Sequence, residues 1–402
     1  MPNIPEVTQG ATLLNALVAQ MTGQSAIGNL ANMATFISTA STLLQMGKDP
    51  VLNAVSQLME PTIFAVRPYD QPLASLQIPA ERWGNAIRKL SAVAENMEDD
   101  SAWKWPVAYD ANEDPATGNG EEVDPFVIKK QDVLETHFYG SVAYMQHFTT
   151  FETQFDVSFR DAESLARFFQ MLVTERRNDR ESFEEAKARG LQLNFIGSLL
   201  AEADTDRVIH LLTEYNTASG QSLSATDIMQ ADNFEAFVRW MYARVRTIVG
   251  QFRARSKKFQ TNITGKNILR HTDARNIRVA LYRPFMEYIN SMVLSGLYNA
   301  DMMRLPTYEA IDYWQSIKTP GSINVTPVYT GTNGEPVTGS AVNSSTVIGL
   351  IHDVDAIGYS MRDMRQAPPI YNPAGEYWNT FIHGRFTAIQ DNTEKAVVLC
   401  LD

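Results

Sequence analysis

His352, Asp353 and Asp355 place an imidazole and two carboxylates within four residues, donors that a metal-dependent hydrolase could use. A turn at the end of a strand is the stronger reading of the same residues. Thr264-Gly265-Lys266-Asn267 lacks both the upstream glycine and the Ser/Thr of a phosphate-binding loop. Gly331, Gly334 and Gly339 do not follow a strand with dinucleotide-binding spacing, and no G-x-S-x-G elbow occurs. His137 and His147 share strand parity, but ten residues of strand separate them by roughly 33 Å, too far for one metal. Cys400 is the single cysteine and has no partner. No general acid/base pair can be assigned, and neither a catalytic residue, a cofactor nor a metal is expected. The sequons at Asn262, Asn324 and Asn343 mean nothing in a cytoplasmic protein.

The composition says what kind of chain surrounds these residues. Its 402 residues are 44% hydrophobic, enough for a sizeable core and two or three domains. No apolar run spans a bilayer, and the polar start MPNIPEVTQG is not a signal peptide. With one cysteine there is no disulfide framework, and a reducing cytoplasm suits synthesis. The net charge of −12 argues against a surface that grips nucleic acid tightly, since phosphate neutralisation needs a positive face.

Charge is nonetheless unevenly placed. Between Glu95 and Asp124 lie ten carboxylates against Lys104 alone, with Trp103, Trp105 and Tyr109 among them. Exposed aromatics of that size find partners. Between Arg239 and Arg278 there are eleven Lys or Arg and one acid, Asp273. That basic stretch reads as a nucleic-acid site, an inter-subunit surface or a solvated helix face. The second is favoured, because no aromatic platform interleaves the charges and the acidic segment is an obvious complement. Trp103, Trp105, Tyr109, Glu121, Glu122, Asp124, Arg253, Arg255, Lys257 and Lys258 are therefore the candidate inter-subunit residues.

The elements that hold these residues follow from periodicity. Residues 1–60 form a weakly polar arm, and Pro61, Pro68, Pro72 and Pro79 punctuate an extended stretch. Residues 133–159 are dense in Phe, Tyr, Val and Thr and predict long strands, giving a hairpin with an acidic tip that needs cover to be stable. A helix is expected from Asp161, with the stripe Leu165, Phe168, Phe169, Leu172, Val173, Phe183 and Ala186, a possible break at Asn178-Asp179 and a stop at Gly190. A second helix is expected from Asp232, with Glu235 closing a capping box and Phe234, Phe237, Val238, Met241, Val245, Ile248 and Phe252 buried. Pro284 opens a third. Residues 318–346 predict a long loop. Strands follow over Ser345–Ile351 and Asp353–Ser360, and a closing hairpin runs Phe381–Ile389, Asp391-Asn392, Ala396–Leu401.

This order of parts resembles the tailed-phage major capsid proteins. The resemblance is carried by Ile63-Phe64-Ala65-Val66-Arg67, by Gln77-Ile78-Pro79-Ala80-Glu81-Arg82, by Thr153-Gln154-Phe155 on to Phe169, and by residues 275–305. Asn372-Pro373-Ala374-Gly375-Glu376-Tyr377-Trp378-Asn379 carries it best. It is closest to those of the small, short-tailed Bacillus phages. It implies an α+β chain with the Hong Kong 97-type capsid fold: N-arm, extended E-loop hairpin, peripheral domain with a long spine helix, and axial domain. The N-arm would be 1–60. The peripheral domain would be 61–80, 151–260 and 376–402, with the spine helix near 161–189. The E-loop would be 81–150, and the axial domain 261–375 with its loop 318–346. The arm is too short to hold a cleavable scaffold segment. The implied function is an icosahedral shell around a double-stranded DNA genome. Implied partners are copies of itself in hexamers and pentamers, a scaffolding protein, the portal, and DNA by non-specific contact only, with no membrane. The implied location is the virion capsid, after synthesis in the bacterial cytoplasm. Two alternatives are a nanocompartment shell of the same fold and a hydrolase built on His352 and Asp353.

Overall fold

The computed structural model describes residues 71–78, 87–93, 126, 132–138, 141–151, 162–292 and 307–402, and for 162–173, 231, 292 and 362–366 it describes the backbone alone. The expected N-terminal arm, the acidic segment 95–124, Asp161 and the run 293–306 lie outside those residues.

The core is built on a five-stranded sheet in the order β4-β15-β11-β5-β6, comprising β4 (Val208–His210), β5 (Ile277–Tyr282), β6 (Glu309–Ile311), β11 (Val347–Asp353) and β15 (Ala396–Cys400). Every residue of β11 and β15 is buried, because helices cover both faces. Val397 and Leu399 face α4 (Ala231–Phe252), while Ala396, Val398 and Cys400 face α1 (Ala162–Glu202). All seven apolar residues expected on the inner side of α4, Phe234 through Phe252, are buried there. The next helix, α5 (Arg283–Met292), starts one residue before Pro284.

The 41-residue α1 is about 60 Å long at 1.5 Å per residue. It runs through Asn178-Asp179 and does not stop at Gly190. A mid-helix glycine costs about 1 kcal/mol. Beyond it Leu191, Leu193, Phe195, Ile196 and Leu199 are buried, each contributing about 1.5–3 kcal/mol, so packing outweighs the local signal. The helix ends at Ala203, whose φ of 50° is left-handed. Of the expected stripe, Phe183 is half-buried and Ala186 exposed.

The expected capping box at Asp232 and Glu235 is also displaced. α4 begins after Gln230, which offers no side-chain cap, and Glu235 pairs with Arg239 one turn on. The capping box lies one short helix earlier, where Ser224 and Asp227 cap α3 (Ala225–Ile228) reciprocally.

A second sheet is organised by the 14-residue β14 (Tyr377–Gln390). Along one side it pairs with β3 (Val142–Phe151) over all ten residues of that strand. Along the other it pairs with β12 (Ile357–Gln366) and β13 (Ile370–Asn372). The closing hairpin is therefore not a hairpin: β14 and β15 lie in different sheets, and 391–395 crosses between them. The expected long strands over 133–159 likewise divide. β2 (Val133–Phe138) pairs antiparallel with β1 (Ile87–Ala92) over six residues, whereas β3 joins β14. His137 and His147 thus occupy separate sheets, not one strand.

The stretch 318–346 is more ordered than a loop. β7 (Ile323–Val325) pairs with β10 (Val342–Ser344), and inside that ladder β8 (Val328–Thr330) pairs with β9 (Pro336–Thr338). This nested hairpin lies on α1 at Gly197. A Cβ there would stand 2.5 Å from Val325 Cγ1, so the close approach requires glycine.

Candidate functional site

The base of the β1–β2 hairpin is fixed to the body by a buried polar junction. Its centre is the crossing segment Asp391-Asn392-Thr393-Glu394-Lys395, of which no residue is more than 6% exposed. Five polar residues in that position need internal partners, since water cannot serve them. Asp391 Oδ1 accepts from Thr393 N at 2.9 Å and Thr393 Oγ1 at 2.6 Å, which closes the turn locally. Asn392 Nδ2 donates to Ser198 Oγ of α1 at 3.0 Å, and its carbonyl accepts from Thr261 N at 2.9 Å. Lys395 Nζ donates to Ala254 O at 2.7 Å and Ser256 Oγ at 3.1 Å, and burial pushes its pKa down to about 8.

The hairpin supplies the matching charge. Residues on one face of β1 alternate inward, and Lys89 Nζ reaches Asp391 Oδ2 at 2.8 Å and Glu394 Oε1 at 2.6 Å. Arg270, from the connection between α4 and β5, adds a second cation. Its Nε lies 3.2 Å from Glu394 Oε1, and Nη2 donates to Ser91 Oγ of β1 at 3.0 Å. Lys266 Nζ meets Asp132 Oδ2, just ahead of β2, at 2.7 Å. Burial pushes Glu394 upward despite both cations. Burial also acts to raise Asp391, yet Lys89 and Thr393 together hold it below the usual carboxylate range. The network continues to the nested hairpin: Asn194 of α1 exchanges two hydrogen bonds with the backbone of Val328, at 2.7 and 2.9 Å, and donates to Gln390 at 2.6 Å.

Outward from this junction the hairpin carries a mixed face. Arg88 and His137 both meet Glu135 Oε1, at 3.2 and 3.0 Å, beside Leu90 (56% exposed) and Val133 (59%). The β14 sheet exposes a second, more aromatic face. On it His147 stacks on Phe381 with centroids 4.5 Å apart and Phe151 meets Tyr377 edge-on at 5.8 Å, beside exposed Met145 and Ile370.

Of the candidate residues read from the sequence, Trp103, Trp105, Tyr109, Glu121, Glu122 and Asp124 lie outside the described residues. Arg253, Arg255, Lys257 and Lys258 are exposed together just beyond the end of α4. The basic stretch as a whole is less uniform than its count implied, because own-chain acids meet much of it, Lys258 of that cluster included. Arg239 pairs with Glu235, Arg244 with Glu214, Lys258 with Asp206 at 3.6 Å, Lys266 with Asp132 and Arg270 with Glu394. The junction residues Lys89, Asp391 and Glu394 escaped sequence reading, because a short polar run between two apolar strands has the signature of an exposed turn.

The hydrolase reading meets an unfavourable geometry. His352 is 2% exposed, its Nδ1 is 2.7 Å from Asp353 O, its ring lies edge-on to Phe195, and burial pushes its pKa down to about 4. A pocket of about 460 Å³ beside the junction is lined by Arg255, Asp353 and Asp355 but not by His352. Asp353 accepts from Thr272 Oγ1 at 2.5 Å and from Asp355 N at 2.9 Å. Among the described residues no group of three or more His, Cys, Asp or Glu could hold a metal ion, and no helix is long and apolar enough to cross a membrane.

Among solved structures, the capsid of Staphylococcus phage Andhra is similar to this chain, with a TM-score of 0.51 and 10% identity, covering 85% of this chain and 86% of that one. A chain from the structure of head fiber and inner core protein gp22 of native bacteriophage P68 is also similar, with a TM-score of 0.48 and 10% identity over 81% and 83%. The first of these likenesses defines the class, an α+β subunit with the Hong Kong 97-type capsid fold. Among curated proteins, none matches the sequence. Residues 48–399 match the family described as Phi29-like phage major capsid protein, and the chain belongs to that family. It is a structural protein that forms the shell of a phage capsid.

Proposed function

We propose that copies of this chain close into hexamers and pentamers of an icosahedral shell by laying the β1–β2 hairpin of one copy across the body of the next. The observation that carries this reading is the hairpin itself: two six-residue strands held to the body along one face, with Leu90 and Val133 exposed on the other. The body covers only one face of these two strands, so cover on the open face adds stability and favours assembly. Head-to-tail contacts use two different patches and close into rings when the rotation permits. Each exposed ion pair contributes only about 0–1 kcal/mol, and closure of many contacts supplies the rest.

In this reading the E-loop lies within 81–150 and ends before β3, which belongs to the β14 sheet. Residues 1–60 are the N-arm, and α1 is the spine helix of the peripheral domain. The axial domain is wider than the expected 261–375, because β4 and β15 complete its sheet. The acidic segment 95–124 meets Arg253, Arg255, Lys257 and Lys258 of a neighbour. A scaffolding protein templates the shell in the host cytoplasm, a portal occupies one vertex, and double-stranded DNA is enclosed by non-specific contact only. The run Asn372–Asn379 supports a likeness to the capsid proteins of the small, short-tailed Bacillus phages.

Electron microscopy of the purified chain, with and without its scaffold, tests the reading by looking for rings or cages. The charge pairing has its own test. Exposed charges are screened beyond about 8 Å at physiological ionic strength. Glu121→Lys with Glu122→Lys should reduce shell yield, and 1 M salt should weaken assembly of the unaltered chain. Normal assembly of the double variant would remove the charge pairing and leave the fold standing.

A further inference from the structure

We infer that the outer edge of β3 receives a β-strand from a second copy of this chain, so that the β14 sheet continues across a subunit boundary. β3 uses one edge to pair with β14 from Val142 to Phe151, and among the described residues no strand pairs with the other. In an antiparallel ladder alternate residues direct their N–H and C=O groups to opposite edges, so about half of the β3 backbone groups point outward along some 33 Å of strand.

Natural proteins blunt such an edge with lysine, proline, a bulge or a very short strand. The sequence VAYMQHFTTF contains no Lys, Arg, Asp, Glu, Pro or Gly, and the register with β14 has no break. An undefended ten-residue edge is a hazard in a monomer and a template in an assembling subunit.

The chemistry of the surroundings selects the occupant. Without a cation on the strand, the edge offers a phosphate backbone nothing to neutralise, which disfavours nucleic acid. Met145 and Phe151 are exposed along it, and Tyr377, Phe381 and Ile370 extend the same face across the sheet, while Val142 is exposed on the opposite face. A neutral strand with apolar side chains fits, contributing main-chain hydrogen bonds for affinity and alternate side chains for register. A second copy is the partner present in every shell at the required stoichiometry, and the inference rests on the chain forming that shell.

Residue-resolved hydrogen exchange tests it, comparing the dispersed full-length chain with closed shells purified free of scaffold and checked by electron microscopy. The expected result is that alternate β3 amides, those directed away from β14, exchange rapidly in the dispersed chain and at least 100-fold more slowly in shells. The amides directed toward β14 should be slow in both. Outward amides that stay fast in verified shells would overturn the inference and leave the shell reading intact. So would outward amides already slow in the dispersed chain, because a segment of the same chain would then cover the edge. Protection seen only while scaffold is present would assign the edge to scaffold and overturn the second-copy inference. A chain that never forms shells would contradict the reading beneath it as well.

Discussion

At the scale of single residues, two buried bases show how the interior handles charge. His352 is fully enclosed within β11, next to Phe195 and Arg278, and burial lowers its pKa from 6.5 to about 4. The unfolded chain therefore binds a proton between those values while the folded chain does not. Stability is fully present above pH 6.5 and is lost as pH falls toward 4, by about 3 kcal/mol at the limit. Replacing His352 with Gln should flatten that part of the pH profile. Melting temperatures at pH 7 and pH 4.5 check this, and an unchanged slope in the variant would show that other groups carry the acid sensitivity. Lys395 is the second case: it enters the core on a carbonyl and a hydroxyl, and nothing in the turn-like run around it announces that role.

At the scale of elements, the junction decides how the hairpin leaves the body. Removing one partner from a buried ion pair typically costs about 3–5 kcal/mol, because the other charge is left desolvated. Lys89→Met should cost about 3 kcal/mol, since Lys89 retains some solvent contact and Arg270 still reaches Glu394. Urea unfolding measures it, and a loss below about 1 kcal/mol would show that the hairpin is not held there. The same elements explain what the sequence could reveal. The buried side of α4 was legible residue by residue, because its amphipathic period is strong and local. The length of α1 was not, because its C-terminal half is held by Phe195, Ile196 and Leu199 packing on strands over 100 residues away, against a local stop at Gly190. The crossing segment 391–395 was misread for the same reason. Whether polar residues turn back on themselves or pass buried between two sheets depends on Lys89 and Arg270, remote in sequence. Of the candidate surface, the exposed cluster Arg253, Arg255, Lys257 and Lys258 was readable from charge, but Lys266 and Arg270 were already committed to the hairpin base.

At the scale of the whole molecule, the body has a doubly covered sheet and a closed core, whereas the hairpin and the β14 sheet present apolar surface outward. That division suits a subunit whose body folds by itself and whose arms are completed by neighbours. The net charge of −12 fits a shell wall that does not grip nucleic acid. Sedimentation of the full-length chain carrying Leu90→Lys and Val133→Lys, under conditions where the unaltered chain forms closed shells, tests the central claim most directly. Both positions are exposed, so the melting temperature should stay within about 2 °C of the unaltered protein. Shell yield should fall at least tenfold, leaving dispersed chains. Closed shells at undiminished yield from that double variant would contradict the claim that the outer face of the hairpin is covered by another copy.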